Sequence, residues 1–271
     1  IITYLSNIYT VQTFTKLWFW LYSISDPKSI YCTIAMPGGL QNAFMPQFDC
    51  NICANLKNIS KVFNITQQEF TERYAYSGVP VVIMDAMTNW TATHIFSFEY
   101  FKEIYPDDSP ALDNYERNCQ FFPYKTNFTS LRQVLNMGTE RAQLLTGTEP
   151  WYIGWSNCDP LVSNILRQHY RRPYFMPQDS EGTKMDWIFM GSPNYGAHMH
   201  IDHVGHPSWQ SQVRGSKKWI LEPPPECYTI CQVLEVIVNS GEIIVLDTNQ
   251  WYHQTLIVGQ DISITIGSEF D

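Results

Sequence analysis

His200-Ile201-Asp202 is the stretch on which the reading turns, with His253 far downstream at the end of Gly241-Glu-Ile-Ile-Val-Leu-Asp-Thr-Asn-Gln-Trp-Tyr-His253. On a strand, residues i and i+2 share a face, so His200 and Asp202 would both point inward, about one pleat apart. His253 follows Trp251 and Tyr252 at the end of another apolar strand, and closure of a barrel would bring it opposite. Two imidazoles and one carboxylate are the donor set of a facial triad, which holds Fe(II) and leaves the remaining positions open. A His-x-Asp pair alone is a common string, and His198, His203 and His206 crowd the same stretch as loop histidines.

Working outward, Lys217 and Lys218 lie on a strand between the two halves of that set. A lysine facing a barrel interior is costly unless an anion meets it, and a dicarboxylate would do so. The alternative is that both lysines cap a solvated strand edge. Tyr152 and Thr265, on strand-like segments, offer hydroxyls to the same carboxylate.

The flanking pattern sets the architecture. Thr66-Gln-Gln-Glu69 is a capping box that starts a helix ended by Gly78. Val79 to Met84 reads as a buried strand, Phe98 to Tyr105 as a helix, Trp151 to Trp155 as a strand and Ser163 to Tyr170 as a short helix. From Asp186 onward the chain is mostly strands: 186–190, 208–213, 217–221, 233–238, 242–246 and 262–266, punctuated by Gly215, Pro223-Pro-Pro225, Gly241 and Gly259. Helices first and many short strands after predict an α+β chain closing on a β-barrel.

Bulk properties narrow the function. At 44% apolar and 15% aromatic, 271 residues can build a sizeable core. A net charge of −9 argues against sequence-specific nucleic-acid binding, which needs clustered Lys and Arg. Seven cysteines stand at 32, 50, 53, 119, 158, 227 and 231, an odd number whose connectivity the sequence does not give. Cys50-Asn-Ile-Cys53 reads as a redox pair, half a zinc site lacking its second half, or two half-disulfides. Asn-x-Ser/Thr sequons occur at Asn58, Asn64, Asn89 and Asn127, and with the cysteines they point to the secretory pathway, in the endoplasmic reticulum or Golgi lumen. Residues 1–65 read as an N-terminal extension. Its apolar run Leu17 to Ile24 is either the remnant of a signal anchor, giving membrane association through residues before 25, or an amphipathic helix packed on the domain.

Three ordered strings resemble one family: Gly191-Ser-Pro-Asn-Tyr-Gly-Ala-His-Met-His200-Ile-Asp202, Pro207-Ser-Trp-Gln-Ser-Gln-Val-Arg-Gly-Ser-Lys217-Lys-Trp-Ile-Leu, and Gly241-Glu-Ile-Ile through Trp251-Tyr-His253. They look like the core of Jumonji-C (JmjC) oxygenases, most similar to the arginine demethylase and lysyl-hydroxylase branch once called phosphatidylserine receptor-like. Pro80-Val-Val-Ile with Trp90, Pro150-Trp-Tyr152-Ile and Tyr170-Arg-Arg-Pro173 fit as well, so the resemblance covers residues 66–271.

The resemblance implies a double-stranded β-helix (cupin, jelly-roll) barrel with flanking N-terminal helices. It implies Fe(II) on His200, Asp202 and His253, and 2-oxoglutarate as cosubstrate held by Lys217, Tyr152, Thr265 and Gln210, with Lys218 pointing outward. It implies O2 as co-reactant and a dioxygenase that hydroxylates a protein or peptide side chain, lysine or arginine. The alternatives are a nuclear histone demethylase or hydroxylase, and a lumenal binding module with weak or no turnover. This chain departs from the pattern at three places. Ala197 stands where a hydroxyl residue is usual, Gln210 where asparagine is usual, and only fifty residues separate Asp202 from His253. Trp155, Trp187, Trp209 and Trp219 are candidates to wall the pocket, with ordinary barrel core as the plainer reading of each.

Overall fold

The computed structural model describes residues 17, 20, 21 and 49–271, apart from 118, 146, 183 and 184. The chain divides into two compact units, Ile1–Gln47 and Phe48–Asp271. Of the first, Leu17, Trp20 and Leu21 are helical with exposed side chains; the rest of the 17–24 run and Cys32 lie outside the described residues. Among the described residues no helix is long and apolar enough to cross a membrane.

The described residues of the second unit carry eleven strands: β1 (Ser60–Val62), β2 (Val81–Ile83), β3 (Phe121–Phe122), β4 (Tyr152–Ser156), β5 (Trp187–Gly191), β6 (Ser208–Arg214), β7 (Ser216–Glu222), β8 (Leu234–Asn239), β9 (Ile243–Leu246), β10 (Tyr252–Val258) and β11 (Ser263–Glu269). They form an eight-stranded sheet in the order β1-β2-β9-β6-β11-β5-β4-β3 and a three-stranded sheet in the order β10-β7-β8. Every pairing is antiparallel except β1 with β2. This is the double-stranded β-helix, an α+β fold, that the motifs lead one to expect.

At β2 and β9 the large sheet is buried on both faces, which explains why they read as continuous apolar runs rather than alternating ones. Ile243 and Val245 of β9 point into a cluster with the N-terminal helices, including Phe70, Trp90, Phe96, Phe101 and Val134. Their neighbours Ile244 and Leu246 point the other way, into a cluster with Trp219, Leu221, Leu234 and Val238 of the small sheet and with Trp251, just before β10. Burial of each such side chain contributes roughly 1.5–3 kcal/mol. The helices start where their caps stand. Thr66 accepts from the Glu69 N–H, Ser97 caps the helix Phe98–Ile104, and Asp159 with Pro160 opens Pro160–Leu166. That last helix begins three residues before the expected Ser163, because the Asp-Pro start signal takes precedence over apolar spacing.

Two further expectations are corrected. The compact unit takes in residues 49–65 as well as 66–271. Ser60–Val62 adds a strand beside β2, and disulfides Cys50–Cys227 and Cys53–Cys231 tie the preceding turn to the β7–β8 connection. The partner of Cys50-x-x-Cys53 is therefore Cys227-x-x-x-Cys231; a third bridge joins Cys119 to Cys158. Secondly, His253 does not end a strand but stands second in β10, a seven-residue strand whose alternation of buried and exposed positions follows it.

Gly215, at φ 71°, makes the one-residue turn by which the chain leaves β6 in the large sheet and enters β7 in the small one. Beside β10 runs an irregular partner, residues 194–200. The Ile257 N–H donates to the Tyr195 carbonyl and the Thr255 N–H to the Ala197 carbonyl, while His200 and His253 exchange both backbone hydrogen bonds at 3.0 and 2.8 Å. From Ala197 to His200 the partner advances three residues while β10 advances two, which is a bulge of one residue. The close approach here requires glycine: a Cβ on Gly196 would lie 2.1 Å from the Thr255 carbonyl oxygen. Gly196→Ala is expected to destabilise the fold by about 1–3 kcal/mol in urea denaturation, as overpacking against backbone does. An unchanged midpoint would contradict the pairing.

Candidate active site

His200 sits on the bulge, and Asp202 lies two residues on, held by its N–H on the Thr248 carbonyl at 2.9 Å. The expected regular strand through both is thus absent. An isolated bridge to His253 and an anchor on the β9–β10 connection do its work. The three side chains do converge. One donor atom from each lies within 4.8 Å of the others, with His200 Nε2 3.5 Å and His253 Nε2 3.8 Å from the two Asp202 oxygens. Bonds near 2.1 Å from a shared ion would put facial donors about 3 Å apart, so the group needs only a small contraction to close on one.

The rings are also set in the right tautomer. Nδ1–H of His200 donates to the His198 carbonyl at 2.7 Å, and Nδ1–H of His253 to the Trp251 carbonyl at 3.0 Å. Both Nε2 lone pairs are left facing Asp202. Burial, and then the neighbouring His200, pushes the His253 imidazole down to about pH 4, so it is neutral near pH 7. Trp219 stacks on it with ring planes 26° apart.

Behind Tyr152, which lines a cavity shared with the three donors, stands Lys217. It is fully buried, and its Nζ donates to Thr265 Oγ1 at 2.7 Å and Tyr152 Oη at 3.0 Å. Nζ also lies 5.1 Å from the centre of the Tyr152 ring and 5.9 Å from that of Phe189. Among the described residues no carboxylate pairs with it, and burial pushes its ammonium down to about 7. Lys218, on the opposite face of β7, points outward to Glu235 at 2.7 Å, as alternation requires. Burial also raises the phenols of Tyr152 and Tyr124, so both stay protonated donors.

The cavity lined by His200, Asp202, His253, Tyr152 and Tyr124 measures about 250 Å³. Gln210 lines it, as does Ala197, and Thr255 next to Ala197 supplies the hydroxyl that position lacks, accepting the Ala197 N–H at 3.0 Å. Trp187 and Trp219 wall the cavity, whereas Trp155 and Trp209 belong to the core. The motifs alone do not single out Thr255, Tyr124 or Ser208. The Ser208 hydroxyl is buried at the cavity wall with no hydrogen-bond partner among the described residues.

The sequence comparisons agree with this geometry. A family model described as a cupin-like domain matches residues 66–233. The chain belongs to the cupin-like domain family. Its similar relatives carry the names of the branch that the motifs resemble. Arginine-specific demethylase JMJ22 of Arabidopsis thaliana is 22% identical over 259 residues, covering 80% of this chain and 49% of the relative. Bifunctional arginine demethylase and lysyl-hydroxylase psr-1 of Caenorhabditis elegans is 26% identical over 170 residues, covering 59% and 40%. Arginine-specific demethylase JMJ20 of Arabidopsis thaliana is 24% identical over 251 residues, covering 72% and 53%. The cupin-like chain thus spans about half the length of these relatives.

The donor set of this cupin-like domain predicts metal-linked stability. At a hundredfold excess over its Kd, Mn(II) is expected to raise the unfolding free energy by about 2.7 kcal/mol. Asp202→Ala removes that gain and leaves metal-free stability little changed, since the Asp202 side chain is 33% exposed. An equal metal-induced shift in wild type and variant would contradict the site.

Proposed function

We propose that this chain is an Fe(II)- and 2-oxoglutarate-dependent protein hydroxylase. The observation that carries the reading is a cavity lined by a His, Asp, His donor group and by Tyr152, whose hydroxyl accepts from the buried Lys217. The donors suit Fe(II), and the ammonium suits the far carboxylate of a short dicarboxylate. A metal site built for sugars or for structure alone would give no reason to bury a lysine there.

His200, Asp202 and His253 would hold the metal. The chemistry such a centre supplies when bound is oxidative decarboxylation of the keto acid by O2 to succinate and CO2, coupled to insertion of one oxygen atom into a substrate C–H bond. The chain's own groups do the positioning. Lys217 would neutralise the distal carboxylate, with the Tyr152 and Thr265 hydroxyls that already accept from its Nζ beside it. Gln210 and Thr255 line the path between the two ends. Trp219 keeps the His253 ring in place, and Tyr152, Phe189 and Trp219 exclude water from the inner end. Phe122, Trp187, Gln120 and Glu269 form the outer lining, where a protein side chain would enter. The names of the relatives support lysine or arginine as that side chain.

The compartment we propose is the secretory lumen. Among the described residues three disulfides, two of them from Cys50 and Cys53 to Cys227 and Cys231, favour an oxidising environment over a nucleus, and all four sequon asparagines are exposed.

The decisive assay is succinate release from 2-oxoglutarate by purified protein with Fe(II) and a lysine- and arginine-containing peptide library, with mass spectrometry for a gain of one oxygen. Turnover in wild type and none in Asp202→Ala supports the reading; equal output from both contradicts it. Lys217→Met should raise the half-saturating cosubstrate concentration by one to two orders of magnitude, from a charge-assisted contact worth about 1.5–3 kcal/mol.

The pH dependence has a definite sign. Lys217 is held down to about 7 in the free cavity, and an anion restores its charge, so above pH 7 binding must take up a proton. Cosubstrate affinity therefore falls as pH rises above 7, by at most about tenfold per unit. Calorimetry in buffers of different ionisation enthalpy should detect that proton in wild type and not in Lys217→Met.

A further inference from the structure

The proposed reaction makes no use of the outer edge of the eight-stranded sheet. β1 is its terminal strand, paired on one side with β2. Ser60 and Lys61 are exposed. Phe63, one residue past β1, is 70% exposed, and Met84, one residue past β2, is 44% exposed. Among the described residues no strand pairs with its outer side, and N–H and C=O groups left so beside two large apolar side chains form a template for a strand of another chain. The usual protections are weak here. The Lys61 charge is taken up by Glu242 at 2.6 Å, and no proline interrupts 58–66.

The sequence instead sets a glycan acceptor at each end of this edge. Asn58-Ile-Ser60 runs into the start of β1, and Asn64-Ile-Thr66 leaves its end. In both sequons the middle residue is anchored in the interior, Ile59 at 7% and Ile65 at 3% exposure, while the asparagine is exposed. Asn64 is fixed in a left-handed turn, φ 53°, by its N–H on Asp85 Oδ2 at 3.1 Å, and it directly follows the exposed Phe63. A bulky hydrophilic chain on each acceptor would occupy the space that an incoming strand needs.

We propose that Asn58 and Asn64 carry N-linked glycans that shield the β1 edge and Phe63 from pairing with a second chain. This rests on the lumenal reading above. The transfer forms a bond from the asparagine side-chain nitrogen to the first sugar's C1. It breaks the bond from that carbon to the phosphate of a polyprenyl-diphosphate oligosaccharide donor. The polyprenyl diphosphate leaves, and the amide gives up one proton.

The test uses the full chain made in a eukaryotic secretory host. An amidase that releases glycans in heavy-oxygen water marks each occupied asparagine as a labelled aspartate, read by peptide mass spectrometry. Label at 58 and 64 is expected. Enzymatic release from the folded protein, and separately the N58Q/N64Q variant, should then shift sedimentation from monomer toward larger species as concentration rises. Adding Phe63→Lys should reverse that shift. Label at Asn89 or Asn127 but not at 58 and 64 would overturn this inference and leave the lumenal reading standing. No label anywhere, with free thiols at the cysteines, would overturn both. Label at 58 and 64 with a deglycosylated chain that stays monomeric would overturn the shielding.

Discussion

An ammonium group buried without a carboxylate is the constraint around which this molecule is arranged. Charge in a dry interior is unfavourable by several kcal/mol unless partners satisfy it. Among the described residues Lys217 meets two neutral hydroxyls, from Tyr152 and Thr265, and two aromatic faces. Such a lysine lowers the stability of the empty protein and raises its affinity for a small anion. It belongs to β7, whose strict alternation puts Lys217, Trp219 and Leu221 on one inner face. One strand therefore supplies the buried ammonium, the ring that stacks on His253, and a residue of the core beneath them.

The proposed metal donors depend on a different kind of support. His253 lies within a regular strand, but His200 and Asp202 lie on a segment that is strand-like only in its hydrogen bonds to β10 and to Thr248. The extra residue between Ala197 and His200 turns the chain so that both imidazoles, 4.2 Å between centres, reach the same carboxylate. The backbone carbonyls of His198 and Trp251 then fix both rings. A regular strand could not do this at the same spacing, and a free loop would not hold it.

What could be read from residues alone follows from this division. The triad, Lys217 and the outward Lys218 were legible because alternation is local and a charge in an apolar strand is conspicuous. The strands were legible because β2, β6, β7, β9 and β11 are apolar or alternating runs bounded by glycine and proline. The bulge was not, since it exists only in the pairing with β10. Nor was β10 itself, whose Tyr-His-Gln-Thr-Leu-Ile-Val mixes polar cavity-facing residues into the buried set. Thr255 escaped notice because its role depends on lying beside Ala197, 58 residues away. The membership of residues 49–65 in the domain is set by disulfides of 177 and 178 residues' separation, which no local pattern announces.

The account stands or falls on whether the donor group and the ammonium grip the two ends of one molecule. Absorption spectroscopy under anaerobic conditions tests this without requiring a substrate. Fe(II) added with 2-oxoglutarate should give the visible metal-to-keto-acid charge-transfer band in wild type. The band should be lost in Asp202→Ala and appear only at much higher 2-oxoglutarate in Lys217→Met. No band in wild type, or the same titration in all three proteins, would contradict it.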